Sequence, residues 1–177
     1  MVERMAMHSL YVVADISGYG VSVRQGTYCR ALANVVTDPG WELREYIRRD
    51  ILNLALRNTD NHGRNTAILR TSGKVGLSPL YDFAPMFLDP AGIGRVSRWE
   101  DEQPGNQPEW AAICEKLGNH LAPIETREWI AEMADSVKQL PETMRECKVD
   151  DELIDRLAGW IDEVAAGLTA ARPRTIN

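Results

Sequence analysis

Asn58-Thr59-Asp60-Asn61-His62-Gly63-Arg64-Asn65 has no apolar period, and what stands on either side of it decides the fold. Before it, Asp38 suits a helix cap, Pro39 suits the first helical position, and Leu43, Ile47, Ile51 and Leu54 recur along one face. A helix is predicted over about 39–57, with 58–65 as the polar loop that leaves it. After it, 66–70 and 74–78 flank Thr71-Ser72-Gly73, the composition of a hairpin turn. A hairpin returns the chain toward its starting point, so Asp82, just beyond it, is expected beside Asn65.

Working outward, β-branched and aromatic residues over 9–16 predict a short strand, and Tyr28, Leu32 and Val35 predict a short helix over 26–36. Four prolines (79, 85, 90, 104) and three glycines (92, 94, 105) make 79–105 irregular. Three more helices are predicted at about 108–117, 124–140 and 151–168, with Pro141 interrupting or kinking the middle one. There is no internal repeat. The expected architecture is mostly α, a helical body with one small hairpin inserted early.

A chain of 177 residues can bury a core without a staple, and 44% hydrophobic with 26% charged residues is ordinary globular usage. A net charge of -6 and a pI near 5.1 give no positive field toward nucleic-acid phosphates or anionic lipid. Cys29, Cys114 and Cys147 lack metal or redox spacing and read as reduced, buried thiols. The apolar stretch 10–14 is too short for a signal peptide or membrane span, so the expected compartment is the cytoplasm.

Phosphoryl transfer to a hydroxyl needs a carboxylate to orient the hydroxyl and accept its proton, plus oxygen ligands that hold magnesium on the phosphates. Asp60 followed five positions later by Asn65 has the base-to-ligand spacing of kinase catalytic loops. Such a pair alone arises by chance about 0.4 times in a chain this long, and His62 lowers that to roughly 0.01. Asp82-Phe83 beyond a hairpin lowers it further.

These residues carry a family resemblance. Asn-Thr-Asp-x-His-x-x-Asn at 58–65 with Leu-Ser-Pro-Leu-Tyr-Asp at 77–82 resembles the catalytic and metal-binding loops of the HipA family of serine/threonine kinases. The loop spacing is also similar to that of lipid kinases related to phosphatidylinositol 3-kinase. The resemblance implies one helical C-terminal lobe of a protein-kinase-like fold over 1–177, with the hairpin carrying the metal site. It implies Asp60 as catalytic base, Asn65 and Asp82 as magnesium ligands, and His62 as a contact to the transferred phosphate. It further implies ATP and Mg2+ as cofactors, a protein serine or threonine as substrate, and a helix-turn-helix, HipB-like antitoxin through which DNA is met only indirectly. No membrane partner is implied.

The sequence departs from complete HipA proteins, which carry a preceding lobe with a phosphate-covering loop, a nucleotide-binding lysine and an Arg-Phe-Asp-Arg element. Here only Val2-Glu3-Arg4 stands in that place, and Gly18-Tyr19-Gly20 lacks the later glycine of a phosphate loop. The chain is therefore expected to be a fragment, a split kinase whose other lobe a partner supplies, or a relic. Two other functions compete with the kinase: a catalytically silent module that keeps an antitoxin contact, and a magnesium-dependent phosphate-ester hydrolase.

Each residue also has a plain reading. Asp60, Asn65 and Asp82 are ordinary turn formers, and His62 can fix loop shape through the backbone. His8 and His120 have no ligand partners, the five tryptophans read as packing residues, and 100–102 reads as a solvated acidic loop. Arg44, Arg48, Arg49 and Arg57 read as a solvated helix face.

Overall fold

The computed structural model describes residues 4–18, 20–100, 102 and 107–173. Val2, Glu3, Tyr19, Asp101, Pro104 and Gly105 lie outside them. The fold is mostly helical, with a small antiparallel sheet of three strands in the order β1-β2-β3. The chain divides into two compact units. One takes residues up to Asn53 together with Asn58–Glu100, and the other takes Leu54–Arg57 and the residues after Glu100.

In the first unit, β1 (Ala6–Ser9) leads directly into a single helical turn, α1 (Leu10–Val13), and then α2 (Gln25–Ala33). This corrects the strand expected over 9–16. The Ala14 amide donates to the Leu10 carbonyl at 2.9 Å, which closes one helical turn with Leu10 and Tyr11 both buried. The ladder ends where the Leu10 amide donates to the Thr66 carbonyl at 2.9 Å.

The long helix α3 (Pro39–Ala55) starts as its sequence dictates, with the Trp41 amide donating to Asp38 Oδ1 at 3.0 Å. Leu43, Ile47, Ile51 and Leu54 are all at most 5% exposed, as their period requires. The helix stops at Arg57, whose φ of 52° lies in the left-handed region.

Strands β2 (Ala67–Thr71) and β3 (Lys74–Leu77) form the expected hairpin, with Gly73 at φ 77° in its turn. The expectation missed β1, which pairs with β2 in the register Ser9↔Ala67. Residues at and before the start of α3 satisfy the outer edge of β3. The Val75 amide donates to Thr37 Oγ1 at 2.8 Å, and the Leu77 amide donates to Glu42 Oε2 at 2.9 Å. The hairpin is thereby fixed to α3 by hydrogen bonds that would otherwise go to water.

The second unit holds α4 (Trp110–Lys116), α5 (Pro123–Lys138), α6 (Leu140–Glu146) and α7 (Asp151–Ala170). Ile154, Leu157, Ile161, Val164 and Leu168 of α7 form a buried stripe, as do Ile130, Ala134 and Val137 of α5. Pro141 marks an interruption and not a kink, because α5 ends at Lys138. It stands at the second position of the new helix α6, where its missing N–H costs nothing. Among the described residues no helix is long and apolar enough to cross a membrane.

Two of the thiols are buried, but Cys147 is exposed, against the expectation for all three. It stands just after α6, which buries none of its residues. At neutral pH a soluble disulfide reagent is expected to titrate one thiol quickly and the other two only on unfolding; three fast thiols would contradict this packing. Burial pushes the Cys114 thiol from 9.0 up to about 11. A folded pKa above the unfolded one means stability present below pH 9 and lost as pH rises to about 11. The urea midpoint is expected to fall across that window, and to fall less in Cys114→Ser.

Candidate phosphoryl-transfer site

The loop 58–65 is held at both ends and from below. At its start, the Asn58 amide donates to the Asn53 carbonyl and Asn58 Nδ2 to Asn53 Oδ1, each at 2.9 Å. Thr59 Oγ1 donates to the Ile93 carbonyl at 2.6 Å, and the Val96 amide donates to the Thr59 carbonyl at 3.3 Å. At its end, the Asn65 amide donates to the His62 carbonyl at 2.9 Å, while Asn65 Nδ2 donates to the Asp60 carbonyl at 3.0 Å. Asn65 therefore spends its nitrogen on shaping the loop and keeps Oδ1 as its free acceptor.

The Asp60 side chain is about one third exposed, and His62 Nε2 lies 3.5 Å from its Oδ1. The other ring nitrogen of His62 is buried without a hydrogen-bond partner. The ring lies 6.3 Å from that of Tyr11.

Backbone and aromatic rings pack tightly at Gly63. A Cβ there would stand 2.6 Å from Tyr28 Cζ and 2.7 Å from Tyr11 Cδ1, so a side chain has no room. Arg64 crosses the Tyr11 ring at 4.9 Å and donates to the Gly18 carbonyl at 2.6 Å.

The hairpin brings 78–82 back to this loop. Tyr81 Oη donates to the Arg64 carbonyl at 2.6 Å, and Arg49 donates to the Ser78 carbonyl at 2.7 Å. Burial first, and the neighbouring Asp82 carboxylate second, raise the Tyr81 pKa, so the phenol stays a donor. Asp82 itself has φ 53°, a conformation that aspartate tolerates better than most residues and that often marks a functional position.

Asn65 and Asp82 line one recess of about 20 Å3, together with Arg49, Asn58, Asn61 and Tyr81 among others. That is room for about one water-sized species. A carboxylate and a carboxamide oxygen suit a hard cation that keeps most of its waters, so this donor set fits magnesium. Asp60 does not line the recess; it meets Asn65 through its carbonyl and His62 through its carboxylate. Among the described residues no three His, Cys, Asp or Glu side chains gather at metal-binding distance.

Sequence reasoning missed what lies beneath. Asp50, 3% exposed, accepts from Gln25 Nε2 at 3.0 Å, Asn61 Nδ2 at 3.2 Å, both terminal nitrogens of Arg95 at 3.1 and 2.8 Å, and Trp99 Nε1 at 2.9 Å. Tyr46 Oη in turn donates to Gln25 Oε1. The signal was available: Asp50 stands seven residues after Leu43 and three after Ile47, on the apolar stripe of α3. Arg49 corrects the solvated-face reading too. It is 13% exposed, paired with Glu45 at 2.8 Å, and lines the recess. Trp99 is a buried donor as well as a packing residue, whereas Trp41 is 59% exposed.

Residues 2–141 match the model of the HipA-like C-terminal domain family. No curated protein matches the chain. Among solved structures, the chain is similar to HipA of the Shewanella oneidensis MR-1 toxin-antitoxin system, determined with HipB and operator DNA. The TM-score is 0.62 at 14% identity, over 95% of this chain and 43% of that one. The chain thus spans less than half the length of that relative, and the likeness at this identity is one of fold.

Gly63→Ala is expected to cost about 1–3 kcal/mol, because the new methyl must displace an aromatic ring or the loop. Denaturant unfolding checks it, and an unchanged midpoint would mean that the loop backbone does not rest on Tyr28.

Proposed function

The chain belongs to the family of HipA-like C-terminal domains, and from that premise we propose that it is the catalytic lobe of a toxin-type serine/threonine protein kinase. The reaction is transfer of the ATP γ-phosphate to a protein hydroxyl with Mg2+. The observation that carries the reading is that Asn65 and Asp82, far apart in sequence, line one small recess while Asn65 also fixes the backbone of Asp60.

Asp60 is the group that receives the substrate hydroxyl's proton. His62 Nε2 lies 3.5 Å from Oδ1 of that carboxylate, on one side of the oxygens that would meet the hydroxyl. Asn65 Oδ1 and Asp82 would hold magnesium, whose charge offsets that of the phosphates when bound. Arg49 and Tyr81 keep 78–82 at a fixed distance from the loop through the Ser78 and Arg64 carbonyls. With so little covalent work required, positioning of this kind is most of what the protein contributes.

The nucleotide cradle is assigned to a further segment or a partner protein, since the chain spans 43% of the HipA relative. A HipB-like helix-turn-helix antitoxin is the proposed regulatory partner, with DNA met through it. The relative determined with HipB and operator DNA supports that assignment.

The test mixes the chain with ATP, Mg2+ and candidate partner proteins, and separately titrates it with Mn2+. Asp60→Ala is expected to lower transfer by about 100-fold or more while keeping cation affinity, and Asp82→Ala to lose both. Transfer that survives both substitutions would remove the reading. Cation binding with no transfer under any partner would leave the silent module.

A further inference from the structure

Asp60 has an anchored residue on each side. Thr59 is tied through Oγ1 to the Ile93 carbonyl and through its own carbonyl to the Val96 amide. Asn61 is tied more heavily. Its Nδ2 donates to Asp50 Oδ1 at 3.2 Å and to the Ser97 carbonyl at 3.1 Å, and its Oδ1 accepts from the Ser97 amide at 3.2 Å. The loop and the segment 93–99 therefore run as a zipped pair, and Asp50 sits beneath both.

A carboxylate in that place has a consequence that a neutral residue would not. It can only accept, so every polar neighbour must present a donor. That requirement fixes which way the Asn61 amide faces: nitrogen toward Asp50, oxygen toward the Ser97 amide. Gln25 is fixed by the same rule, nitrogen toward Asp50 and oxygen toward the Tyr46 hydroxyl. Arg95 balances the charge with two hydrogen bonds, from side chains that are 10% and 3% exposed.

We propose that Asp50 is a positioning residue for the catalytic loop: acting through Asn61 and braced by Arg95 and Trp99, it sets the backbone on which Asp60 and Asn65 are presented. The inference rests on the kinase reading for its consequence in catalysis, though not for its structural content. Asp50 touches no substrate atom. It holds the neighbour of the base, and the base in turn is latched by Asn65.

The experiment uses the full chain and two variants. Asp50→Asn keeps the shape but places a donor where donors already point. Asn61→Ala removes the Asp50 link to the loop together with the two Ser97 links, and leaves Asp50 with Gln25, Arg95 and Trp99. In both, amide hydrogen exchange of 58–65 is expected to accelerate about tenfold or more, with α7 unchanged as internal reference. Mn2+ affinity is expected to fall about tenfold, as when an outer partner of a metal ligand is lost. In the transfer assay with partner present, kcat is expected to fall about tenfold or more with the nucleotide KM unchanged.

A core residue that merely stabilised the unit would lower the melting temperature without that split. Should Asp50→Asn fail to fold, Asn61→Ala decides. Unchanged loop exchange in a folded Asn61→Ala chain overturns the proposal. Accelerated exchange in the variants, when the unsubstituted chain itself neither binds Mn2+ nor transfers phosphate, upholds the anchor and overturns the kinase reading instead.

Discussion

One buried carboxylate, Asp50, organises the unit that carries the site. Placing a charge at 3% exposure is costly, and the cost is met only because five hydrogen bonds converge on it, two of them from Arg95. Replacing such a cluster by apolar side chains often leaves stability unchanged, whereas removing one member typically costs about 3–5 kcal/mol. Its value here lies in specificity. It joins α2, α3, the loop after α3 and the irregular segment 93–99 at one point, and each junction has a single permitted donor orientation.

The hairpin solves the complementary problem of bringing a distant aspartate home. Its outer strand is pinned to the start of α3 by Thr37 and Glu42. Past the strand, Ser78 is pinned by Arg49 and Tyr81 reaches the Arg64 carbonyl. These bonds act in series, so Asp82 reaches the recess of Asn65 with little freedom left. Gly63 lets the loop lie flat against Tyr11 and Tyr28, which no side-chain-bearing residue could do there. The geometry of the recess is therefore a property of the backbone as much as of its two oxygen-bearing side chains.

The second unit obeys a simpler logic. Its helices bury stripes of Leu, Ile, Val and Ala, and its polar features are local: Asp150 caps α7 through the Glu152 amide, and Trp160 Nε1 donates to the Leu54 carbonyl at 2.6 Å. Arg57 lies over the Trp160 ring at 5.6 Å, which gives this exposed arginine a packing role that a solvated-face reading omits.

Local and periodic information was enough for much of this protein. The sequence alone determined the cap and apolar stripe of α3, the hairpin turn at Gly73, the helices α4, α5 and α7 of the second unit, and the loop motif from Asp60 to Asn65, because each depends on residues within a few turns of one another. Tertiary structure alone decided the pairing of β1 with β2, the helical turn at Leu10, the exposure of Cys147 and the burial of Arg49. It also decided that Asp50 answers to Gln25, Asn61, Arg95 and Trp99, partners 11 to 49 positions away. A hydrogen bond depends on where two atoms meet in space, and over such separations spacing along a chain does not encode that meeting.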